Sequence, residues 1–193
     1  RADGTIVAWG NNQFGQISIP ASATNVVAIA AGAYHSLAMR TDGTIVSWGW
    51  NGTGQCGSPG ARAPRLRGAI AAGAGHLLML RGDGKVFGLG KNDFGQATIP
   101  PSLTNVAAVA AGGSHSLALR ADGTLVGWGM NTDGQATGVP NGDTPSPVFV
   151  NGQWLVGNVV AIAAGFGQSL ALKTDGTVVG WGGPYPTPPA WLS

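Results

Sequence analysis

The sequence predicts an all-β protein of propeller-type blades, each with four antiparallel strands. About four and a half repeats form a partial or oligomer-completed β-propeller. Three observations carry this expectation. An Asp-Gly pair opens the motif DGTIVSWGWNGTGQ at Asp42, with near-copies from Asp3, Asp83 and Asp122 and a shortened one from Asp175. A second motif keeps step with it: NVVAIAAGAYHSLAMR from Asn25, RGAIAAGAGHLLMLR from Arg67, NVAAVAAGGSHSLALR from Asn105 and NVVAIAAGFGQSLALK from Asn158. The composition suits short strands and many turns, with 34 Gly, 12 Pro, 44 % hydrophobic and only 9 % charged residues, where about 25 % charged is usual.

Each element follows from its residues. A spacing of roughly 40–50 residues with strand-like content is the mark of propellers and solenoids. VVAIAAG is a short apolar run suited to a strand buried on both faces, and too short to hold a helix. HSLALR alternates and ends at a turn. The Asp-Gly pair supplies the positive φ of a tight hairpin, and TLVGWG is the return strand. GQATIP is then the outer strand, where Pro20 and Pro100 fit an edge that needs no N–H.

In a blade ordered from the axis outward, the small residues of AIAAG lie near the axis. Trp9, Trp48, Trp128 and Trp181 pack between neighbouring blades, with Leu89 in that place in the third repeat. Gly32, Gly73, Gly112 and Gly165 recur at one position, which implies either positive φ or close backbone approach. The repeats run 3–41, 42–82, 83–121, 122–174 and, in part, 175–183, within one domain spanning 1–193 that ends in a Pro-rich tail, 184–193.

Several chemistries are disfavoured. The net charge of +2 is spread without a basic run, which leaves little for nucleic-acid binding. No apolar run reaches the ~18 residues of a membrane-spanning helix. The single Cys56 excludes an intrachain disulfide and a multi-cysteine metal site. His35, His76 and His115 hold one position in successive repeats and Gln168 takes it in the fourth. That pattern suits strand-opening residues that bond backbone in their own blade better than a metal triad. The Asp-Gly pairs lack the alternating oxygens of a calcium loop, and no phosphate loop or nucleophile elbow is present. The expectation is a non-enzyme without metal or cofactor.

The two motifs resemble the repeats of the regulator of chromosome condensation family. The GQATIP linkers are most similar to a bacterial subgroup that includes β-lactamase inhibitory protein II. The resemblance implies a propeller and, by that subgroup, a secreted or cell-surface bacterial protein that grips a partner with aromatic loops. By the eukaryotic members it implies nucleotide exchange on a small GTPase.

The letters that vary sit in two loops, WGxNxxGQ and AGxxH, which four-strand blades place at one end of the sheet. Phe14, Tyr34, Trp50, Lys91, Asp93, Phe94, Met130 and Phe166 therefore form the candidate protein-binding face, rich in the aromatic residues that dominate binding hot spots. The leading reading is recognition of an unidentified protein partner. The alternatives are a structural repeat of a larger or oligomeric surface protein, nucleotide exchange, and carbohydrate binding. The motif from Asp175 has no further strands in its own repeat, so it is expected either to cap the fourth blade or, preferentially, to join the open half-blade of a second chain.

Overall fold

The computed structural model describes residues 4–57, 69–150 and 152–183. The repeat start at Asp3 and the tail 184–193 lie outside the described residues. Among the described residues there is no helix, and so none long and apolar enough to cross a membrane.

Four antiparallel sheets follow one another along the chain. The first comprises β1 (Val26–Ala31), β2 (His35–Arg40) and β3 (Ile45–Gly49); the second β4 (Ile70–Ala72), β5 (His76–Leu80) and β6 (Val86–Gly90). The third has β7 (Val106–Ala111), β8 (His115–Arg120), β9 (Leu125–Gly129) and a two-residue outer strand, β10 (Ser146–Pro147). A small hairpin of β11 (Phe149–Val150) and β12 (Gln153–Trp154) precedes the last sheet: β13 (Val159–Ala164), β14 (Ser169–Lys173) and β15 (Val178–Trp181).

Three differences from the sequence reading have physical causes. The outer segment GQATIP forms turns rather than a fourth strand; its backbone bonds within its own loop, as in Ser18 N–H to the Gly15 carbonyl and Thr98 N–H to the Gly95 carbonyl. The Asp-Gly turn lies inside each sheet, so β13, β14 and β15 make a complete blade and β15 pairs with β14 of its own chain. The motif from Asp175 thus has partners at home. Segment 5–9, its N-terminal copy, is in no sheet. Trp9 is accordingly 82 % exposed, against the expectation that it packs between blades like Trp128 and Trp181.

Only the Gly of the turn takes positive φ, for example Gly43 at 83°. The Asp carboxylate braces the turn from one side. Asp42 accepts from the N–H and hydroxyl of Thr44 at 2.9 and 2.7 Å. Asp175 does the same with Thr177, and these bonds, the Thr177 hydroxyl first, lower its pKa to about 2.

The core is divided into layers between successive sheets. Leu37, Leu77 and Met79 fill the first; Leu78, Val106, Ala118 and Trp128 the second; Leu117, Leu125, Val148 and Trp181 the third. The first strands crowd where they meet. A Cβ on Gly112 would lie 2.2 Å from the His115 ring and 2.7 Å from the Gly165 carbonyl oxygen. Close approach, and not positive φ, is what requires Gly at this position.

Candidate binding face

Both variable loops emerge at one end of the blades. They are tied together by backbone bonds: Trp50 N–H donates to the Tyr34 carbonyl, Lys91 N–H to Gly75 and Met130 N–H to Ser114. Each WGxNxxGQ loop is held by two side chains that the repeat keeps. The Asn carbonyl oxygen accepts from a backbone N–H five residues on, at Ile17, Cys56, Ala97 and Ala136. The Gln carbonyl oxygen accepts from the N–H two residues before it, at Phe14, Thr53, Phe94 and Asp133, at 2.9–3.0 Å. These bonds satisfy loop amides that no strand can reach. Phe14, Thr53, Phe94 and Asp133 are therefore displayed from loops of one shape.

The expected residues divide into three groups. Phe14, Tyr34 and Trp50 form an aromatic cluster, with Phe14 edge-on to Tyr34 at 5.2 Å and Tyr34 edge-on to Trp50 at 6.3 Å. Phe14 and Tyr34 are exposed, whereas Trp50 is half-buried because its indole folds over Gly52. Phe94 and Phe166 are exposed, Phe166 at 82 %. The Phe166 backbone carbonyl takes the N–H of Gly113 from the neighbouring blade. Lys91 and Asp93 form an ion pair at 3.3 Å, and Met130 is half-buried.

Behind the loops lies an arrangement that sequence reasoning did not find. His35, His76 and His115 are fully buried at the starts of β2, β5 and β8. The repeat pattern predicts that they bond backbone in their own blades. Instead His76 Nε2 meets Ser116 Oγ at 3.0 Å and His115 Nε2 meets Ser169 Oγ at 2.8 Å, each in the next blade. Ser116 in turn donates to the Gln96 carbonyl, and so does the Trp128 indole. Because the serine proton is committed to that carbonyl, the imidazole Nε2 carries the hydrogen and donates it. The rings are neutral: burial pushes all three pKa values down to about 4. Among the described residues no three His, Cys, Asp or Glu side chains gather as a metal site. Cys56 Sγ lies 3.3 Å from the Trp50 carbonyl, and burial raises its pKa.

Sheets set side by side, first strands crowded together and all variable loops at one end, define a propeller-type repeat protein. The chain belongs to the regulator of chromosome condensation (RCC1) repeat family, whose repeat matches residues 26–55, 69–96, 106–135 and 159–185. The structure of Prp20p from Saccharomyces cerevisiae is similar over 90 % of this chain, at 25 % identity and a TM-score of 0.65. Human WBSCR16 is similar over 81 %, at 26 % identity and 0.65. The CRINKLY WD40 ectodomain of the Arabidopsis thaliana receptor kinase ACR4 shares the fold over 97 %, at 21 % identity and 0.64. The chain spans about half the length of these structures: 52, 49 and 59 %. No curated protein matches it in sequence.

Proposed function

We propose that the protein is a non-enzymatic binding module that recognises a partner protein through the loop face of Phe14, Tyr34, Trp50, Lys91, Asp93, Phe94, Met130 and Phe166. The observation that carries this reading is the division of labour within each loop. The repeated Asn and Gln side chains hold the backbone, while the residues between them differ and include exposed aromatics. Large rigid side chains at a fixed backbone lose little entropy on binding, which is why aromatics anchor protein interfaces. The Prp20p structure is described with binding to Gsp1p and histones, so protein partners have a precedent in this family.

The test places a photo-crosslinking residue at Phe94 and exposes the protein to extract of the source organism. A discrete protein adduct is expected, and it disappears when Phe14→Ala and Tyr34→Ala are added. Both side chains are exposed, so the substitutions cost little beyond the aromatic pairs they break, about 0.5–1.5 kcal/mol each. Adducts that persist undiminished, or capture of low-molecular-mass compounds only, overturn the reading. A GDP-release assay with small GTPases separates it from nucleotide exchange, for which the face offers few acidic groups, such as Asp93 and Asp133.

A further inference from the structure

The aromatic cluster of the loop face is built from three separate loops. Its rings stand at interplanar angles of 72, 55 and 80°, so no two of them stack. Phe14 lies 5.2 Å from Tyr34 and 6.5 Å from Trp50, and Tyr34 lies 6.3 Å from Trp50. With those separations one point above the cluster falls within about 6 Å of all three centroids, the reach of a cation over an aromatic ring. The fold supplies these three positions in every blade, and the sequence fills them differently. In the next blade they hold Thr53, Gly75 and Lys91, which meet in the same way: a Cβ on Gly75 would lie 3.2 Å from Lys91 Cβ and 3.8 Å from Thr53 Oγ1. One blade further they hold Phe94, Ser114 and Met130. The Trp50 ring is seated by Gly52, where a Cβ would come 2.5 Å from the indole. The other loops have Gln13, Asp93 and Thr132 in that place. A wall set before the ligand arrives lowers the ordering cost of binding.

The surroundings decide which cation fits. The three loops, residues 10–16, 33–34 and 50–55, hold no charged side chain. Their acceptors are already committed. The amide oxygens of Asn11, Gln16, Asn51 and Gln55 each take a loop N–H, and the Tyr34 carbonyl takes that of Trp50. A primary ammonium or a guanidinium placed here would give up water for rings, with no carboxylate to pair and N–H groups left unmet. A quaternary ammonium has no N–H to satisfy, and ring attraction is what it can gain. The source of that cation follows from the same loops. A choline headgroup would bring a phosphate beside the cation, and no Lys or Arg stands in these loops to meet it. A lysine stem brings only methylenes.

We infer that Phe14, Tyr34 and Trp50 form an aromatic cage for a trimethylated lysine side chain of the partner protein. The inference rests on the protein-binding reading of this face and names the chemistry of one contact within it. Phe14 and Tyr34 are the exposed walls and Trp50 the half-buried one. The positive charge is held by the ring quadrupoles alone, so the cage selects for a cation that carries methyl groups in place of N–H groups.

The test titrates the full 193-residue chain with a short, otherwise uncharged peptide carrying one trimethyl-lysine, followed through the N-methyl proton resonance. Ring currents should move that resonance upfield. Affinity should exceed that for the unmethylated peptide and for the neutral tert-butyl isostere by about tenfold, the share expected of a cation–π contact at a desolvated site. Tyr34→Phe should keep the binding, and Tyr34→Leu and Trp50→Ala should lose it. Equal affinity for the neutral isostere would reduce the cluster to an apolar patch and overturn the inference. Binding retained in Tyr34→Leu, or no shift at millimolar peptide, overturns it as well. Co-sedimentation with phosphatidylcholine vesicles that Trp50→Ala abolishes would assign the cage to a lipid and overturn the lysine. The two failures are distinguishable. A protein adduct at Phe94 without binding of the methylated peptide overturns the cage and leaves the binding face standing. Capture of low-molecular-mass compounds alone overturns the face and the lysine with it.

Discussion

The junction between the first and second blades differs from the two that follow it. Between the second and third blades, His76, Ser116, Trp128 and the Gln96 carbonyl form one hydrogen-bonded unit. Between the third and fourth, His115 and Ser169 repeat the histidine–serine part of it around the Gln135 carbonyl, while the Trp181 indole N–H is buried without a partner. At the first junction the serine and tryptophan positions are Leu77 and Leu89, both apolar, and His35 is buried with neither ring nitrogen bonded. At the second junction the serine and tryptophan both serve one carbonyl, and at the first both positions are apolar. Losing the serine alone would leave the histidine N–H without a partner, and a buried polar group without one costs about 1–3 kcal/mol. A junction can thus be sealed by a polar unit or by packing.

Four substitutions and one change of pH sharpen this comparison, starting with the largest effect. Gly112→Val should prevent folding, because its Cβ would meet the His115 ring and the Gly165 carbonyl of the neighbouring blade at once; circular dichroism of purified protein checks this, and a native-like spectrum contradicts it. Trp128→Ala, at a polar junction, should cost about 3–5 kcal/mol in denaturant unfolding, and a midpoint unchanged from wild type would mean the indole seals nothing.

Acid is a milder probe per residue. Burial holds the three imidazoles at about 4 in the folded chain, below the ordinary histidine value of 6.5. The unfolded chain therefore binds more protons between those values. Stability is fully present above about pH 6.5 and is lost as pH falls toward 4, by up to about 3 kcal/mol per imidazole. Unfolding midpoints measured across this window should fall steadily. A profile flat from pH 7 to pH 4 would place the imidazoles in water.

The smallest effect separates the junctions most directly. Ser116→Ala should cost about 1–3 kcal/mol because it strands the His76 N–H. His35→Leu should change stability at neutral pH by less than about 1 kcal/mol, since it removes no hydrogen bond, and should also flatten the acid profile. Chemical denaturation of both variants decides. Equal losses would show that the first junction holds His35 by a bond of the same worth.

Much of the fold was legible because its signals are local and repeated. The Asp-Gly turns, the apolar AIAAG runs and the alternation in HSLALR each determine one element through its own residues. The outer strand was not legible. GQATIP has strand-like alternation, but Asn12, Asn51 and Asn92 capture the backbone N–H groups that a ladder would need. The blade boundaries were hidden too, because a periodic sequence can be cut at any point, and only pairing shows that the Asp-Gly turn sits mid-blade. On the loop face, the repeat marks which letters vary but not how far each side chain is exposed, and Trp50 turns back over Gly52. The His–Ser contacts join residues 40 and 54 positions apart, a relation that adjacency in HSLALR suggests wrongly. Its one signal in the chain was the coincidence of Leu77 and Leu89 in a single repeat.

The Gln that binds the amide two residues before it has a consequence for how this protein can change. A backbone amide is present whatever the side chain, Pro excepted, so Gln16, Gln55, Gln96 and Gln135 constrain shape without constraining identity at 14, 53, 94 and 133. Those four sites already hold Phe, Thr, Phe and Asp in loops of the same form. They are interchangeable sockets, and a library randomised at them alone, with Pro left out, should yield folded members as a rule and new specificities as the variable.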